Sequence, residues 1–216
     1  MCKEKLKGRV KIKICGLSRE EDIAFANEAR PDFCGFIINV PKSIRNTTPE
    51  QVRELRKKLS PEIIPIGVFR DEPIETVVSL LQDETIAAAQ LHGHEDEEYI
   101  RTLKSRGDFT VVKAFNENTM GQAQACSADY VLLDHGSGGT GEAFHWDLAE
   151  MIHRPYFLAG GLNRENILQA IETLHPWAVD VSSGVETEGK KDKEKIIEIV
   201  RMVRSLEGRI NEEAVR

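Results

Sequence analysis

Three side chains of this sequence, a thiol, a carboxylate and a guanidinium, stand where they could move a proton and bind an anion. Cys15 ends the alternating segment Val10–Gly16, and Asp134 follows the apolar segment Tyr130–Leu133. A thiolate can act as a base, and a partly desolvated carboxylic acid can donate a proton near neutral pH. Arg45 lies in a polar loop, and its planar guanidinium is suited to bind a carboxylate through two hydrogen bonds.

Each of these groups also has an ordinary structural role open to it. Cys15 could be a buried thiol, which is the role we expect for Cys34 inside an apolar strand. Asp134 could accept hydrogen bonds from loop N–H groups, and a loop arginine can simply be solvated. His92 and His94 stand close together in a turn without a carboxylate cluster, so no metal site is predicted there.

Small residues after two later segments are typical of a phosphate-binding site. Gly160-Gly161 would let the backbone approach a ligand closely, and Ser182-Ser183-Gly184 could present hydroxyl and N–H groups. The alternative is that these glycines only make tight turns. Asp180 precedes the second of these segments; structural hydrogen bonding is its first expected role, and substrate contact is a further candidate role.

The elements that must position these residues alternate between strands and helices. Apolar runs buried on both faces are typical of parallel strands covered by helices. Eight strand–helix units in a single short domain, residues 1–216, predict a (β/α)8 TIM barrel, whose active residues lie at the carboxyl ends of the strands. A doubly wound open sheet stays as the alternative. The predicted strands are Val10–Gly16, Phe33–Ile38, Ile63–Phe69, Ile86–Leu91, Phe109–Phe115, Tyr130–Leu133, Tyr156–Ala159 and Trp177–Val181.

Capping residues predict where helices begin. Ser18, Thr48 followed by Pro49, and Asn163 are placed as N-caps. A glycine-rich segment over residues 136–141 is a candidate mobile lid within the loop 135–146. The predicted helices are Arg19–Glu28, Pro49–Leu59, Glu72–Gln82, Asp96–Ser105, Met120–Cys126, a short one from Asp147, one from Asn163 to Leu174, and Ile196–Leu206.

Composition excludes several classes of partner. The formal net charge of −7 comes without a basic block, which argues against nucleic acid as a ligand. Four cysteines form no C-x-x-C pair, so neither a zinc site nor a redox motif is predicted, and a reducing cytoplasm is the expected compartment. Apolar runs fall short of the roughly 20 residues of a membrane helix. The polar ends, 1–8 and 207–216, are expected to fray.

Taken together, the segments at the strand ends resemble one enzyme family, phosphoribosylanthranilate isomerase. The matching segments occur in the family's order and cover about residues 13–192. They are Lys13-Ile14-Cys15-Gly16, Pro41-Lys42-Ser43-Ile44-Arg45, Gly67-Val68-Phe69, Gln90-Leu91-His92-Gly93, Leu132-Leu133-Asp134, Gly138-Gly139-Thr140-Gly141, Leu158-Ala159-Gly160-Gly161-Leu162 and Asp180-Val181-Ser182-Ser183-Gly184-Val185-Glu186.

The resemblance implies a (β/α)8 barrel of tryptophan biosynthesis that needs no cofactor or metal and occurs as a monomer or homodimer. It implies the Amadori rearrangement of N-(5-phosphoribosyl)anthranilate, a phosphosugar. By the same resemblance, Cys15 is the general base, Asp134 is the general acid, and Arg45 binds the anthranilate carboxylate. Phosphate binding falls on Gly160, Gly161, Ser182, Ser183 and Gly184. A thiol needs a lowered pKa, or activation in the complex, to be a base at neutral pH.

The sequence departs from the family pattern at three positions. Asn46 replaces an aromatic residue, His135 replaces a small one, and His145 replaces the aspartate of a Phe-Asp-Trp segment. None of these changes removes a proposed catalytic group. The first two could alter anthranilate packing or the acidity of Asp134.

Several other functions compete with this one. The histidine-pathway isomerase, or a dual-specificity enzyme, would carry an aspartate where this chain has Cys15. Indole-glycerol-phosphate synthase relies on lysines at strand ends, and Lys113 is the one well-placed candidate. A catalytically silent barrel that binds phosphosugars would be expected to lack Cys15 or Asp134, and both are present.

Overall fold

The computed structural model describes residues 9–134 and 152–213, with the backbone alone for 207–213. In these ranges eight parallel strands form a barrel, and a short ninth strand, β3, lies beside β2. Two further short strands, β10 and β11, form a hairpin outside the barrel. The strands are β1 Lys11–Cys15, β2 Phe33–Ile38, β3 Asn46–Thr47, β4 Ile64–Phe69, β5 Ala88–Leu91, β6 Thr110–Phe115, β7 Tyr130–Asp134, β8 Tyr156–Ala159, β9 Ala178–Val181, β10 Glu186–Thr187 and β11 Lys190–Lys191.

The sheet closes at β1, which is hydrogen-bonded on both sides. Ile14 is in register with Cys34 of β2, and Lys13 is in register with Asp180 of β9. An open doubly wound sheet would leave two free edges, so that alternative is wrong and the predicted (β/α)8 barrel is confirmed. Because the barrel strands are parallel, their carboxyl ends meet at one rim, which we call the carboxyl-terminal rim.

Helices cover the outside of the barrel. They are α1 Glu20–Ala29, α2 Pro49–Lys58, α3 Ile74–Gln82, α4 Glu97–Ser105, α5 Ile167–Leu174 and α6 Lys193–Glu213. The predicted cap of α2 is confirmed: Oγ1 of Thr48 accepts from the N–H of Gln51 at 3.2 Å, and the Gln51 side chain accepts from the N–H of Thr48 at 2.8 Å. Each side chain thus satisfies a backbone donor of the first turn.

Two other predicted caps are wrong. Helix α1 has Arg19 at its N-cap, and the carboxylate of Asp22 accepts from the N–H groups of Ser18 and Arg19 at 2.9 and 3.0 Å. The acid at the third helical position therefore accepts from the two N–H groups that precede the helix, and Ser18 is not its N-cap. Helix α5 begins at Ile167 with Asn166 at its N-cap, and Oδ1 of Asn163 accepts from Glu165 N in the turn before it.

Other predicted segments differ in kind or lie outside the described residues. Met120–Ala125 is a 3-10 helix, and β3, β10 and β11 are too short to produce an alternating pattern. The glycine-rich loop, its possible lid and the helix from Asp147 all lie outside the described residues, as do residues 1–8. No helix in the described ranges is long and apolar enough to cross a membrane.

The barrel wall separates two apolar layers. Ile12 and Ile14 belong to the layer between strands and helices, as the alternation of β1 predicts. The inner layer contains four aromatic residues in mutual contact, Phe33, Tyr130, Phe157 and Trp177. Buried polar side chains also occur on inward-facing strand positions, namely Lys13, Gln90 and Asp180. The barrel interior therefore carries charge close to the residues that end the strands.

Candidate active site

The predicted site residues come from different strands and converge on the carboxyl-terminal rim. Cys15 is the last residue of β1 and Asp134 is the last residue of β7. Gly160-Gly161 follows β8, and Ser182-Ser183-Gly184 follows β9. The order of the strands in the closed sheet brings these residues to one rim although they are far apart in the sequence.

The thiol of Cys15 is buried beside the backbone of β2. Cys15 is 7% exposed, and a Cβ built on Gly35 would lie 2.8 Å from its Sγ. Burial raises the pKa of the Cys15 thiol above its ordinary value, and the ammonium of Lys13 opposes that shift. In the ligand-free protein, Cys15 is therefore mainly a thiol at neutral pH. The free site alone does not lower the pKa of Cys15 as a general base requires.

Lys13 is a buried cation whose role the sequence pattern did not predict. Its Nζ donates to Oδ2 of Asp180 at 2.7 Å, and the lysine is fully buried. Burial alone would lower the pKa of Lys13, but the Asp180 carboxylate outweighs it and raises the pKa, so the side chain is charged at neutral pH. The strand alternation, which places Lys13 and Cys15 on one face, was the available signal.

Asp134 contacts a histidine that we had assigned no role. Oδ2 of Asp134 lies 3.2 Å from Nε2 of His92, and Nδ1 of His92 lies 3.1 Å from Nε2 of Gln90. Because the Gln90 amide nitrogen is a donor, Nδ1 accepts, and Nε2 then carries the proton that faces Asp134. The available sequence signal was the position of His92 directly after β5, two residues from the inward-facing Gln90.

Arg45 binds a carboxylate of the chain itself. Its Nε and Nη2 donate to Oε1 and Oε2 of Glu186 at 2.6 and 2.5 Å, and Lys191 donates to Oε1 at 2.5 Å. The arginine also packs against Gly16, where a Cβ would lie 2.5 Å from its Cδ and where φ is +80°. Glycine after Cys15 therefore lets Arg45 lie directly beside the end of β1.

The loops after β8 and β9, which we call the phosphate loops, contact each other. A Cβ on Gly184 would lie 2.0 Å from the carbonyl oxygen of Leu162, so only glycine allows this approach. Gly160 and Gly161 both have positive φ, at 96° and 61°. The Oγ of Ser182 donates to the carbonyl of Cys15 at 3.1 Å, which ties the second loop to the end of β1.

Neighbouring polar groups have other partners. Lys113 Nζ donates to the Gly93 carbonyl at 2.8 Å and to the Glu95 carboxylate at 3.0 Å, so it is committed to the turn after β5. His94 lies on the surface, 3.0 Å from Asp71. Within the described residues, no group of three or more His, Cys, Asp or Glu side chains is arranged to hold a metal ion.

Comparison with known proteins agrees with the resemblance seen at the strand ends. The family model described as N-(5'phosphoribosyl)anthranilate (PRA) isomerase matches residues 12–202. The chain belongs to the phosphoribosylanthranilate isomerase family. A curated N-(5'-phosphoribosyl)anthranilate isomerase from Endomicrobium trichonymphae is 48% identical over 201 residues, covering 91% of this chain and 99% of that protein. Phosphoribosylanthranilate isomerases are enzymes of tryptophan biosynthesis, and this chain is an enzyme of that kind.

Solved structures of the phosphoribosylanthranilate isomerase family share the fold. One, in complex with reduced 1-(o-carboxyphenylamino)-1-deoxyribulose 5-phosphate, matches with a TM-score of 0.76 and 35% identity, over 91% of this chain and 99% of that one. Another shows monomers generated from the dimeric enzyme of Thermotoga maritima, with a TM-score of 0.75 and 34% identity, over 90% of this chain and 98% of that one.

Proposed function

We propose that this chain rearranges N-(5-phosphoribosyl)anthranilate to 1-(2-carboxyphenylamino)-1-deoxyribulose 5-phosphate with Cys15 as general base and Asp134 as general acid. The observation that carries the assignment is Arg45, which already binds a carboxylate in a bidentate manner directly beside the end of β1. An anthranilate carboxylate bound there would bring the substrate next to Cys15. The product analogue bound by a relative carries the matching carboxylate and phosphate groups.

The first step requires protonation of the sugar ring oxygen. Protonated Asp134 would donate to that oxygen, the ring would open, and a Schiff base would form between C1 and the anthranilate nitrogen. His92 Nε2, 3.2 Å from Oδ2 of Asp134, would hold the acid in position during this transfer. The lone pair of the nitrogen supplies the electrons for the new C=N bond as the C1–O bond breaks.

The second step removes the proton from C2 of the opened sugar. The thiolate of Cys15 would take this proton and become a thiol, and the electron pair of the C–H bond would neutralise the iminium nitrogen. The product of this step is an enolamine, which tautomerises to the ketone by moving a proton to C1. A thiolate and a protonated carboxylic acid in one site are the opposite protonation states that an acid–base pair requires.

The phosphate of the substrate would be bound between the two phosphate loops. Gly160 and Gly161 have the positive φ values that bring backbone close to a ligand, and Gly184 packs against the neighbouring loop. Ser183 begins a 3-10 turn, and Ser182 anchors that turn to Cys15. Asp180 remains a further candidate for substrate contact, since its Oδ1 is buried without a hydrogen-bond partner in the part of the chain that the structure describes.

We also propose a ligand class, an assembly state and a compartment for this chain. A small phosphosugar is the proposed ligand, and the net charge of −7 gives no reason to propose nucleic acid. Monomer and homodimer are both proposed states, because the Thermotoga maritima relative is described as dimeric. The cytoplasm is the proposed compartment, in keeping with free thiols at Cys15, Cys34 and Cys126.

The test is turnover of freshly prepared phosphoribosylanthranilate, followed by the loss of its fluorescence. We expect the wild type to be active, and Cys15→Ala and Asp134→Asn each to lower kcat by about 100-fold or more. Cys126→Ala is the matched control, because it removes a buried thiol that precedes β7, at the end of the strand opposite the rim, and it should retain activity. An inactive wild type, or full activity in either rim variant, would contradict the assignment.

A further inference from the structure

Lys13 is a buried cation next to the Cys15 thiol, and the proposed chemistry leaves it without a role. The two residues are separated by one position on β1, so both side chains face the barrel interior. A Cβ built on Gly35 would lie 2.8 Å from Sγ of Cys15 and 3.0 Å from Nζ of Lys13. Sγ of Cys15 and Nζ of Lys13 therefore both lie close to Gly35 of β2. A positive charge at this position favours the ionised form of the thiol.

The ammonium group is held at this point by β9. Asp180 accepts from Nζ at 2.7 Å, and the side chains of Lys13 and Asp180 are 0% and 7% exposed. A buried cation without a counter-ion would lose its proton or leave the interior, so the carboxylate keeps Lys13 charged. Lys13 and Asp180 are in register on neighbouring strands, which fixes the pair relative to Cys15.

We propose that Lys13 is a positioning residue that stabilises the thiolate of Cys15, and that Asp180 keeps Lys13 charged and in place. The inference deepens the proposed function and rests on it, since the thiolate matters to the reaction only if Cys15 is the base. When Cys15 ionises, its proton goes to solvent while Lys13 keeps its own. When the thiolate later takes the C2 proton, the ammonium returns to its pairing with Asp180 alone.

Other charged groups near Cys15 have partners of their own. Lys191 of β11 and Arg45 share the single Glu186 carboxylate, which offsets one of their two positive charges, and Lys191 lowers the pKa of Cys15 less than Lys13 does. Cys34 of β2 is a neutral thiol, because burial raises its pKa to about 12. After burial, which raises the pKa of Cys15, the Lys13 ammonium has the largest effect and lowers it, while the Asp180 carboxylate raises it.

A purely structural role for Lys13 predicts the opposite result on substitution. If Lys13 only filled the barrel interior, its removal would loosen the rim, expose the thiol and let the pKa of Cys15 fall toward its ordinary value. If Lys13 stabilises the thiolate, its removal leaves burial unopposed and the pKa rises further. The direction of the shift therefore separates the two roles.

The experiment measures the pH dependence of Cys15 alkylation by iodoacetamide in the ligand-free protein, with the modified site located by mass spectrometry. Lys13→Met and Lys13→Gln remove the charge, and Lys13→Arg keeps it. Lys113→Met is the matched control, because Lys113 is also a buried lysine paired with a carboxylate, at 3.0 Å from Glu95. Thiolate absorbance near 240 nm, with Cys15→Ala as the blank, gives a second value that does not depend on reagent access.

We expect alkylation of Cys15 at pH 8 to fall about tenfold or more in the two neutral variants, because the thiolate fraction falls tenfold per pKa unit. It should stay close to wild type in Lys13→Arg and Lys113→Met. In turnover, the neutral variants should lose kcat with KM kept, and their kcat should recover toward high pH. Unchanged or faster alkylation in the folded Lys13→Met or Lys13→Gln protein would overturn the proposal. If wild type does not turn over substrate, the proposed function fails, while the alkylation result still decides the electrostatic role of Lys13.

Discussion

At the scale of single residues, Glu186 competes with a carboxylate ligand for the guanidinium donors of Arg45. Burial alone would raise the pKa of Glu186, but hydrogen bonds from Arg45 and Lys191 outweigh it and hold the pKa below its ordinary value. Glu186 is therefore ionised at neutral pH and occupies the same donors that an anthranilate carboxylate would use. Arginine has five donors, so a ligand can either share the guanidinium with Glu186 or replace it.

His92 is the second residue whose effect can be stated from its contacts. Replacing His92 with alanine removes the group that faces Asp134 at 3.2 Å, and we expect kcat to fall about 10- to 100-fold with KM nearly kept. His92→Asn retains a donor at a shorter reach and should recover part of the loss. The measurement is steady-state turnover of phosphoribosylanthranilate.

His94→Ala is the matched control for this prediction. His94 lies two residues from His92 and bonds to Asp71 on the surface, so its loss should leave kcat within about twofold. Equal losses in the His92 and His94 variants would show that the whole turn after β5, and not the contact with Asp134, supports catalysis.

At the scale of elements, the close contact between the two phosphate loops depends on the absence of a side chain at Gly184. A methyl group at Gly184 would lie 2.0 Å from the carbonyl oxygen of Leu162, so Gly184→Ala must push the loops after β8 and β9 apart. Backbone donors from both loops could then no longer meet one phosphate. We expect KM for the substrate to rise about tenfold or more, and inorganic phosphate to inhibit less strongly than in wild type.

Gly121→Ala provides the comparison for the glycine at position 184. A Cβ at Gly121 in the 3-10 helix would meet nothing within 4 Å, so the substitution should leave KM and stability nearly unchanged. An unchanged KM in folded Gly184→Ala would mean that the contact between the two loops does not set phosphate affinity.

The same elements show how far sequence reasoning reaches. The strands were predictable because a parallel strand covered on both faces is an apolar run, as in Phe33–Ile38, and the polar or small residue after each run marks the rim. The starts of α1 and α5 were not predictable, because several neighbouring side chains near each start can accept from backbone N–H groups: Asp22 accepts from Ser18 N, and Asn163 from Glu165 N. Capping preference alone does not decide between neighbours that can all accept a hydrogen bond.

Side-chain pairings between distant elements also could not be predicted from the sequence. Lys13 and Asp180 are 167 positions apart, and Arg45 and Glu186 are 141 positions apart. Alternation on β1 indicates that Lys13 faces inward, but only closure of the barrel supplies Asp180 as its counter-ion. The chemistry of the candidate site was thus readable as residue types at strand ends, whereas its electrostatics required the closed sheet.

At the scale of the whole molecule, buried thiols make the free energy of unfolding decrease as the pH becomes alkaline. Cys34 is fully buried between the barrel wall and the helices, and burial raises its pKa to about 12, compared with about 8.5 in an unfolded chain. Because the pKa of Cys34 is raised in the folded state, its neutral thiol stabilises the fold fully at pH values below the pKa of the unfolded chain. This stabilisation is lost as the pH rises toward the folded-state pKa. Between about pH 9 and 12 the unfolded chain binds fewer protons than the folded protein, and stability falls by about 1.4 kcal/mol per pH unit for this thiol.

Cys34→Ala tests this dependence. The variant should be less stable than wild type at pH 8, because a core side chain has been shortened, yet its free energy of unfolding should fall less steeply from pH 9 to pH 11. Urea unfolding at several pH values measures both quantities. Ile38→Val, a truncation on the same strand at an equally buried position, should shift the whole curve down and keep the wild-type slope. Parallel curves for wild type and Cys34→Ala would mean that Cys34 ionises alike in the folded and unfolded chains. The alkaline loss of stability would then arise from other groups whose pKa burial raises, such as the half-buried Tyr99 and the buried Tyr156.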